Sequence, residues 1–259
     1  MNNNCIVLYK NFIKIKNNNW IKSMRDGSGG IGYTFESLIG KNEDTLSLPD
    51  FNDIEIKTIR EDSRGIIHLF SIRPDGGNEE PMKHIRDILG YPDKKYRQFK
   101  VFNMDFNCKE YTKIGYYKKG KLEIDRNKEI IRFLAFDNKN QDLGIDVFWT
   151  FETIKNRLNQ KLKKLAIIEA ESKTMDNKEF FHYKNINFYL LDDFERFIDL
   201  IEKGIITIEF RITFHKDLIK FGEIKNRGTI FSIKLDNIDK LYKKVPLYLF
   251  NYQLMDDCY

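Results

Sequence analysis

The run Ile54-Glu55-Ile56-Lys57-Thr58-Ile59 alternates between apolar and polar side chains over its first four residues. That is the period of a β-strand, in which successive side chains point to opposite faces. Ile54 and Ile56 therefore share one face, and Glu55 and Lys57 share the other. Folding must bury the isoleucine face, which sets a carboxylate and an ammonium side by side on the opposite one.

Asp50 precedes Glu55 by five positions, follows Pro49, and ends a strand or turn close enough to join the pair. Two carboxylates converging on one point repel unless a cation neutralises them, and a hard divalent ion such as Mg²⁺ prefers such oxygen donors. A lysine beside the ion orients or helps deprotonate a water for in-line attack on phosphorus, while the metal stabilises charge growing on the phosphate oxygens. This is the layout a phosphodiesterase needs. On spacing alone the fragment also fits a plain alternating surface strand.

Composition narrows the class. The chain has 259 residues, long enough for one domain or one domain split into two lobes. Its aromatic content of 14% excludes a disordered chain, and 44 Lys+Arg against 39 Asp+Glu leave a net charge of +5, permissive for nucleic acid. No apolar run approaches the roughly 20 residues of a membrane span, and Met1-Asn2-Asn3-Asn4 does not open a signal peptide. The expectation is a soluble, cytoplasmic protein that binds no membrane. Cys5, Cys108 and Cys258 are scattered with no CxxC spacing, and His84, His182 and His215 with His68 form no chelating pair, so any metal is held by oxygen.

The remaining pattern mixes strands and helices without a regular βαβ rhythm, predicting a mixed α/β, or α+β, fold. The first 20 residues read as a helix; residues 35–39 form a short amphipathic helix after the cluster Gly27-Ser28-Gly29-Gly30-Ile31-Gly32, with Glu36 in its first turns. Residues 65–72 read as the neighbour of the Glu55 strand, and Pro74-Asp75-Gly76-Gly77 as a loop. Residues 116–124 read as a hairpin with Lys118, Lys119 and Lys121 at its tip, and 151–164 as a basic amphipathic helix followed by a strand at 165–169. Further strands are expected at 186–190, 205–212 and 228–233, with a helix at 193–202.

Several segments together resemble the MvaI/BcnI family of type II restriction endonucleases, relatives of the mismatch-repair nicking enzyme MutH in the PD-(D/E)xK nuclease superfamily. They are Gly29-Gly30-Ile31-Gly32-Tyr33-Thr34-Phe35-Glu36-Ser37-Leu38-Ile39-Gly40, Leu48-Pro49-Asp50-Phe51, Ile54-Glu55-Ile56-Lys57-Thr58, Leu69-Phe70-Ser71 and Pro74. Near the C-terminus, Phe210-Arg211-Ile212 and Asn226-Arg227-Gly228-Thr229-Ile230-Phe231-Ser232-Ile233 look like the family's closing segment, with Arg227 where histidine is common.

The resemblance implies a PD-(D/E)xK core, a mixed sheet flanked by helices, with Asp50 and Glu55 as metal ligands, Lys57 as the catalytic lysine and Glu36 as an auxiliary carboxylate. It implies a bilobal protein, with a catalytic lobe over residues 1–165 and a recognition lobe over 166–259 that carries a C-terminal hairpin. Such a protein grips double-stranded DNA in a cleft between the lobes. It acts as a monomer on a short, nearly palindromic G·C-rich site, uses Mg²⁺, and has a companion DNA methyltransferase as a possible partner. The alternatives are a MutH-like nicking enzyme and a non-catalytic DNA-binding module on the same fold.

The DNA-contact candidates are Arg211, Arg227, Thr229, His68 and Lys119. A bidentate arginine on guanine is the commonest specific major-groove contact, against which stands pairing with phosphate or with Glu209 or Glu223. His68 reads first as a structural mid-strand histidine, with a DNA contact the minority reading, and Lys155, Arg157, Lys161, Lys163 and Lys164 as a solvated helix face or a phosphate contact. The glycine cluster lacks the G-x-G-x-x-G spacing of a dinucleotide site and reads as a loop whose amides approach a phosphate.

Overall fold

The computed structural model describes residues 3–41, 48–63 and 65–247; Cys258 lies outside the described residues. The chain forms two compact units, each drawn from separated stretches. The first takes its described residues from 1–67, 157–193 and 235–259, and the second from 68–156 and 194–234. Residue 165, where the sequence reading sets the lobe boundary, belongs to the first unit and lies on the strand Lys164–Met175. No helix among the described residues is long and apolar enough to cross a membrane.

The first unit is built on the strand Lys164–Met175. It pairs in parallel with Glu55–Arg60 and antiparallel with Lys178–Leu191, whose other edge carries Ile21–Lys22 and Tyr242–Val245. Leu165, Ala166, Ile167 and Ile168 are all fully buried, as expected of a strand covered on both faces. One face carries Ile54, Ile56, Ala166, Ile168 and Ala170, then Phe181, Tyr183, Ile186 and Phe188. The spacing jumps from Tyr183 to Ile186 because the register shifts at Glu169/Ala170, leaving Lys184 as an extra residue. Without that bulge the next apolar pair would point to the wrong side of the sheet. Against this face pack the helix Asn3–Asn17, through Cys5, Leu8, Phe12 and Ile15, and the helix Gly30–Leu38, through Ile31 and Phe35. Both sets have helical spacing.

In the second unit two antiparallel sheets share an aromatic core. One has the order Ile66–Ile72, Ile224–Lys234, Ile206–Phe214, Lys100–Phe106, Tyr91–Pro92. The other runs Gly76–Gly77, Val147–Thr150, Ile130–Asp137, Lys118–Asp125, Thr112–Ile114. Phe106 and Phe210 of the first meet Phe133 and Trp149 of the second, with ring centroids 4.6 Å apart for Phe106–Phe133 and 4.8 Å for Phe133–Phe210. Along Ile206–Phe214 alternation is strict: Ile206, Ile208, Phe210, Ile212 and Phe214 are buried, so Thr207, Glu209, Arg211 and Thr213 point outward. Gly77 has φ +127°, and a Cβ there would fall 1.8 Å from the Asp146 carbonyl oxygen, so only glycine fits this edge.

Three expectations are corrected. The strand Ile66–Ile72 is not the neighbour of Glu55–Arg60 but an edge of the second unit's sheet. The unbroken apolar run 165–168 in the strand Lys164–Met175 needs cover on both faces, whereas Ile66–Ile72 exposes His68 and Ser71 and suits a sheet with one wet face. The lysine hairpin turns earlier than expected, at Gly115-Tyr116-Tyr117, so Lys118, Lys119 and Lys121 lie on the strand Lys118–Asp125 rather than at a tip. Gly115, at φ +61°, supplies the turn. Finally, the basic helix ends at Lys161, because Lys164 already pairs with Leu190 in the sheet. We expect Ile168→Ala, which empties a fully buried site in the first unit, to cost about 2–5 kcal/mol, read as a lowered urea midpoint.

Candidate active site

Ile54 and Ile56 enter the apolar core, so Glu55 and Lys57 point to the opposite face. That face is not open water. Glu55 lies in register with Leu165, and Lys57 with Ile167, both fully buried, leaving Glu55 only 1% exposed. Its Oε1 receives the Lys57 ammonium at 2.5 Å, and the Lys161 ammonium stands 3.4 Å from the same oxygen. Its Oε2 is buried and has no hydrogen-bond partner among the described residues. Burial raises the Glu55 carboxyl above the usual carboxylate range, and Lys57 offsets this only in part.

Asp50 is set by a tight turn. Phe51 and Ile54 exchange backbone hydrogen bonds of 2.9 and 2.8 Å across Asn52, which adopts φ +52°. Asparagine tolerates that left-handed conformation better than most residues. The turn brings Asp50 back over the strand, where Oδ2 accepts the Ile56 N–H at 3.0 Å and Oδ1 accepts the Lys41 ammonium at 2.5 Å. Burial opposes ionisation of Asp50, but Lys41 and the Ile56 amide outweigh it and hold its carboxyl below the usual range.

Glu36 comes from the helix Gly30–Leu38, which begins inside the glycine cluster. It therefore sits in the last turn, not the first, where the helix dipole disfavours a negative charge. Tyr183 anchors the helix by donating to the Ile31 carbonyl at 2.8 Å. Gly32 lets it approach the Glu55 strand: a Cβ there would lie 3.2 Å from Thr58 Oγ1 and 3.6 Å from Glu36 Oε1. Burial raises the Glu36 carboxyl, and the Asp50 and Glu55 carboxylates raise it further. The structure thus gathers Glu36, Asp50, Glu55 and Lys57.

Sequence spacing marks neither Lys41 nor Lys161 as part of the site. Lys161, one of the five basic residues that read as a helix face or a phosphate contact, turns to Glu55, and Lys164 pairs with Asp53. A basic residue in the last turn of a helix that leads into the neighbouring strand was the available signal. No group of three His, Cys, Asp or Glu among the described residues forms a ready metal cage. Mg²⁺ does not need one: it keeps several waters and takes one or two protein carboxylates. The unpartnered Glu55 Oε2, beside a carboxylate cluster held together by ammonium groups, fits such an ion.

The other candidates lie in the second unit. Arg211 is bound by Glu209 at 2.5 Å and touches His68 Nε2 at 3.2 Å, and His68 Nδ1 meets Ser232 Oγ at 2.9 Å. Arg227 and Gly228 together oppose Arg211, because the register shifts between Phe210 and Ile212. Gly228, at φ +81°, makes this bulge possible and turns Arg227 outward. Both arginines, with Asn103, Thr213, Lys216 and Lys225, line a cleft of ≈ 440 Å³. Thr229 is fully buried and donates to the Ile72 carbonyl, so its hydroxyl is committed to the fold. Lys119 binds Asn140 Oδ1 at 2.6 Å and lies 4.5 Å from the Tyr111 ring centre.

The model of the MvaI/BcnI restriction endonuclease family matches residues 9–242. Among solved structures the chain is similar to that described as "Restriction endonuclease MvaI-cognate DNA substrate complex", at TM-score 0.87 and 28% identity, covering 95% of this chain and 98% of that one. It is also similar to "Restriction endonuclease MvaI in the absence of DNA", at TM-score 0.60 and 27% identity with the same coverage. No curated protein matches by sequence.

Because the folded state raises the Glu36 carboxyl, the ionised form costs stability that is absent below the unfolded pKa and is felt as pH rises through the folded one. Glu36→Gln should therefore raise the melting temperature by a few degrees at pH 7 in EDTA, with the gain shrinking as pH falls toward 4, as read by thermal melts across that range.

Proposed function

The chain belongs to the MvaI/BcnI restriction endonuclease family, whose members are site-specific DNA nucleases, and on that premise we propose that it is a Mg²⁺-dependent type II enzyme cutting both strands of a short G·C-rich, nearly palindromic site as a monomer. The observation that carries the metal and the chemistry is Glu55, buried with one oxygen unpartnered, on the same strand as Lys57 and beside Asp50 and Glu36.

In this reading Asp50 and Glu55 hold the ion, which when bound supplies charge stabilisation at the phosphate and acidifies a water. The Ile56 amide and Lys41 fix the Asp50 carboxylate in place. Lys57, on the strand that carries Glu55, orients the attacking water; Lys161 shares its partner oxygen and keeps Glu55 compensated. Glu36 is the auxiliary carboxylate. Water adds to phosphorus as the bond to the 3′ oxygen breaks, leaving a 5′-phosphate and a 3′-hydroxyl. Arg211, steadied by Glu209 and His68, and Arg227 on its bulge supply guanine contacts from the second unit. A companion methyltransferase acting on the same site is the partner this role calls for.

Supercoiled plasmid of unmethylated, high-complexity sequence should give discrete bands with Mg²⁺ and none with EDTA. Lys57→Ala should keep DNA binding and lose about three orders of magnitude or more in cleavage rate. Full cleavage by that variant would sink the assignment, and nicks that never become double-strand breaks would turn it toward a nicking enzyme. Mg²⁺ should also raise the melting temperature of the wild-type protein, and the shift should vanish in Asp50→Asn/Glu55→Gln.

A further inference from the structure

The strands Ile206–Phe214 and Ile224–Lys234, which bear Arg211 and Arg227, are joined by residues 215–223. At its apex Leu218 is 98% exposed and Ile219 92% exposed, an adjacent pair of large aliphatic side chains held in water. Single exposed apolar residues are ordinary, but a contiguous pair marks a contact surface when the backbone holds it there. This backbone does. The His215 amide donates to the Glu223 carbonyl at 2.8 Å and the Gly222 amide returns to the His215 carbonyl at 3.0 Å. Asp217 accepts the Lys220 amide at 3.0 Å and meets His215 Nδ1 at 3.1 Å.

The base of the loop is also packed. Phe221 folds back edge-on to Tyr96 and Phe99, at 5.4 and 5.5 Å between ring centres. Gly222, at φ +87°, lies so close to the Phe99 ring that a Cβ would approach it to 2.7 Å. Phe221 is thus tethered by ring contacts while still 45% exposed, whereas Leu218 and Ile219 upstream are almost wholly in water.

The surroundings select the partner. Lys216 and Lys220 flank the apex, and Lys216 also lines the cleft that contains Arg211, Lys225 and Arg227. Asp217 is turned onto the Lys220 amide and His215, and the cleft carries four cations against one carboxylate, Glu209, so an apolar tip flanked by lysines beside it matches a polyanion with an apolar interior. We propose that Leu218 and Ile219 form a wedge that enters a groove of duplex DNA and partly unstacks a base step, while Lys216 and Lys220 meet the adjoining phosphates. This rests on the reading of the second unit as the DNA-contacting part of a nuclease, and it adds a contact that deforms the duplex rather than reading base edges.

The test uses the full chain, Ca²⁺ in place of Mg²⁺, and a duplex selected from a random-sequence pool by the wild-type protein, with 2-aminopurine placed in turn along it. Wild-type protein should raise the fluorescence at one step. Leu218→Ser/Ile219→Ser should abolish that signal and weaken binding by about tenfold or more, with the slope of log Kd against log salt unchanged because no phosphate contact is removed. Leu218→Met/Ile219→Val should restore both. Circular dichroism melts should match wild type, since neither side chain is packed. A wild-type complex in which no position responds, or a serine variant with undiminished affinity, overturns the wedge. So does a dimeric wild-type protein that the serine variant converts to monomer without loss of DNA affinity. Selection of no duplex at all overturns the nuclease reading itself, whereas a duplex bound in Ca²⁺ that stays uncut when Mg²⁺ is supplied overturns only the catalytic assignment and leaves the wedge to its own readout.

Discussion

A carboxylate buried in a mixed sheet between apolar neighbours is the constraint around which the first unit is arranged. An uncompensated charge there costs several kcal/mol, and Glu55 is compensated from two directions. Lys57 comes from its own strand two residues on, and Lys161 from the last turn of the helix that leads into the parallel neighbour. The stop of the basic helix at Lys161 serves this contact, and the tight turn at Asn52 sets Asp50 over the same strand. One oxygen still goes unmatched, and Glu36 and Asp50 add negative charge nearby. That imbalance is the feature on which the proposed cation site rests.

The second unit solves a different problem. Its aromatic core holds one face of the Ile206–Phe214 sheet rigid, so the opposite face can carry polar groups without loosening the fold. Ser232, His68, Glu209 and Arg211 form a chain of contacts along that face. A guanidinium held on two sides has given up much of its rotamer freedom before any ligand arrives, which reduces the entropy lost on binding.

How far the sequence reveals this depends on whether a side chain's role is local. The alternation of Ile54, Glu55, Ile56 and Lys57 places the charged pair on one face from spacing alone, and Ile206 to Phe214 does the same for Arg211. The family resemblance points to Glu36 and to the roles proposed for the cluster, and the fold class follows from the mixture of periods. What was not legible is non-local. Nothing in residues 54–59 says that Leu165 and Ile167 will lie alongside and close Glu55 off from water. The pairing of Lys161 with Glu55 spans more than a hundred residues. That consecutive strands commonly pair puts His68 beside Glu55, yet the choice of partner is set by which strand needs cover on both faces. The starts of the Gly30 helix and the lysine hairpin were missed because turn chemistry at Gly27 and Gly115 sets them, not periodicity.

The bulge at Arg227-Gly228 bears on how such a protein diversifies. Inward-facing residues on either side of it, Ile224 and then Thr229, Phe231 and Ile233, stay in register with their partners because the extra residue is absorbed locally. Exchanges at position 227 therefore alter the outward rim of the cleft while leaving the aromatic core and the carboxylate cluster untouched. On the proposed reading, recognition and chemistry are separately heritable: the rim at Arg227 can drift by single substitutions on a scaffold whose stability and carboxylate cluster do not have to be re-evolved each time.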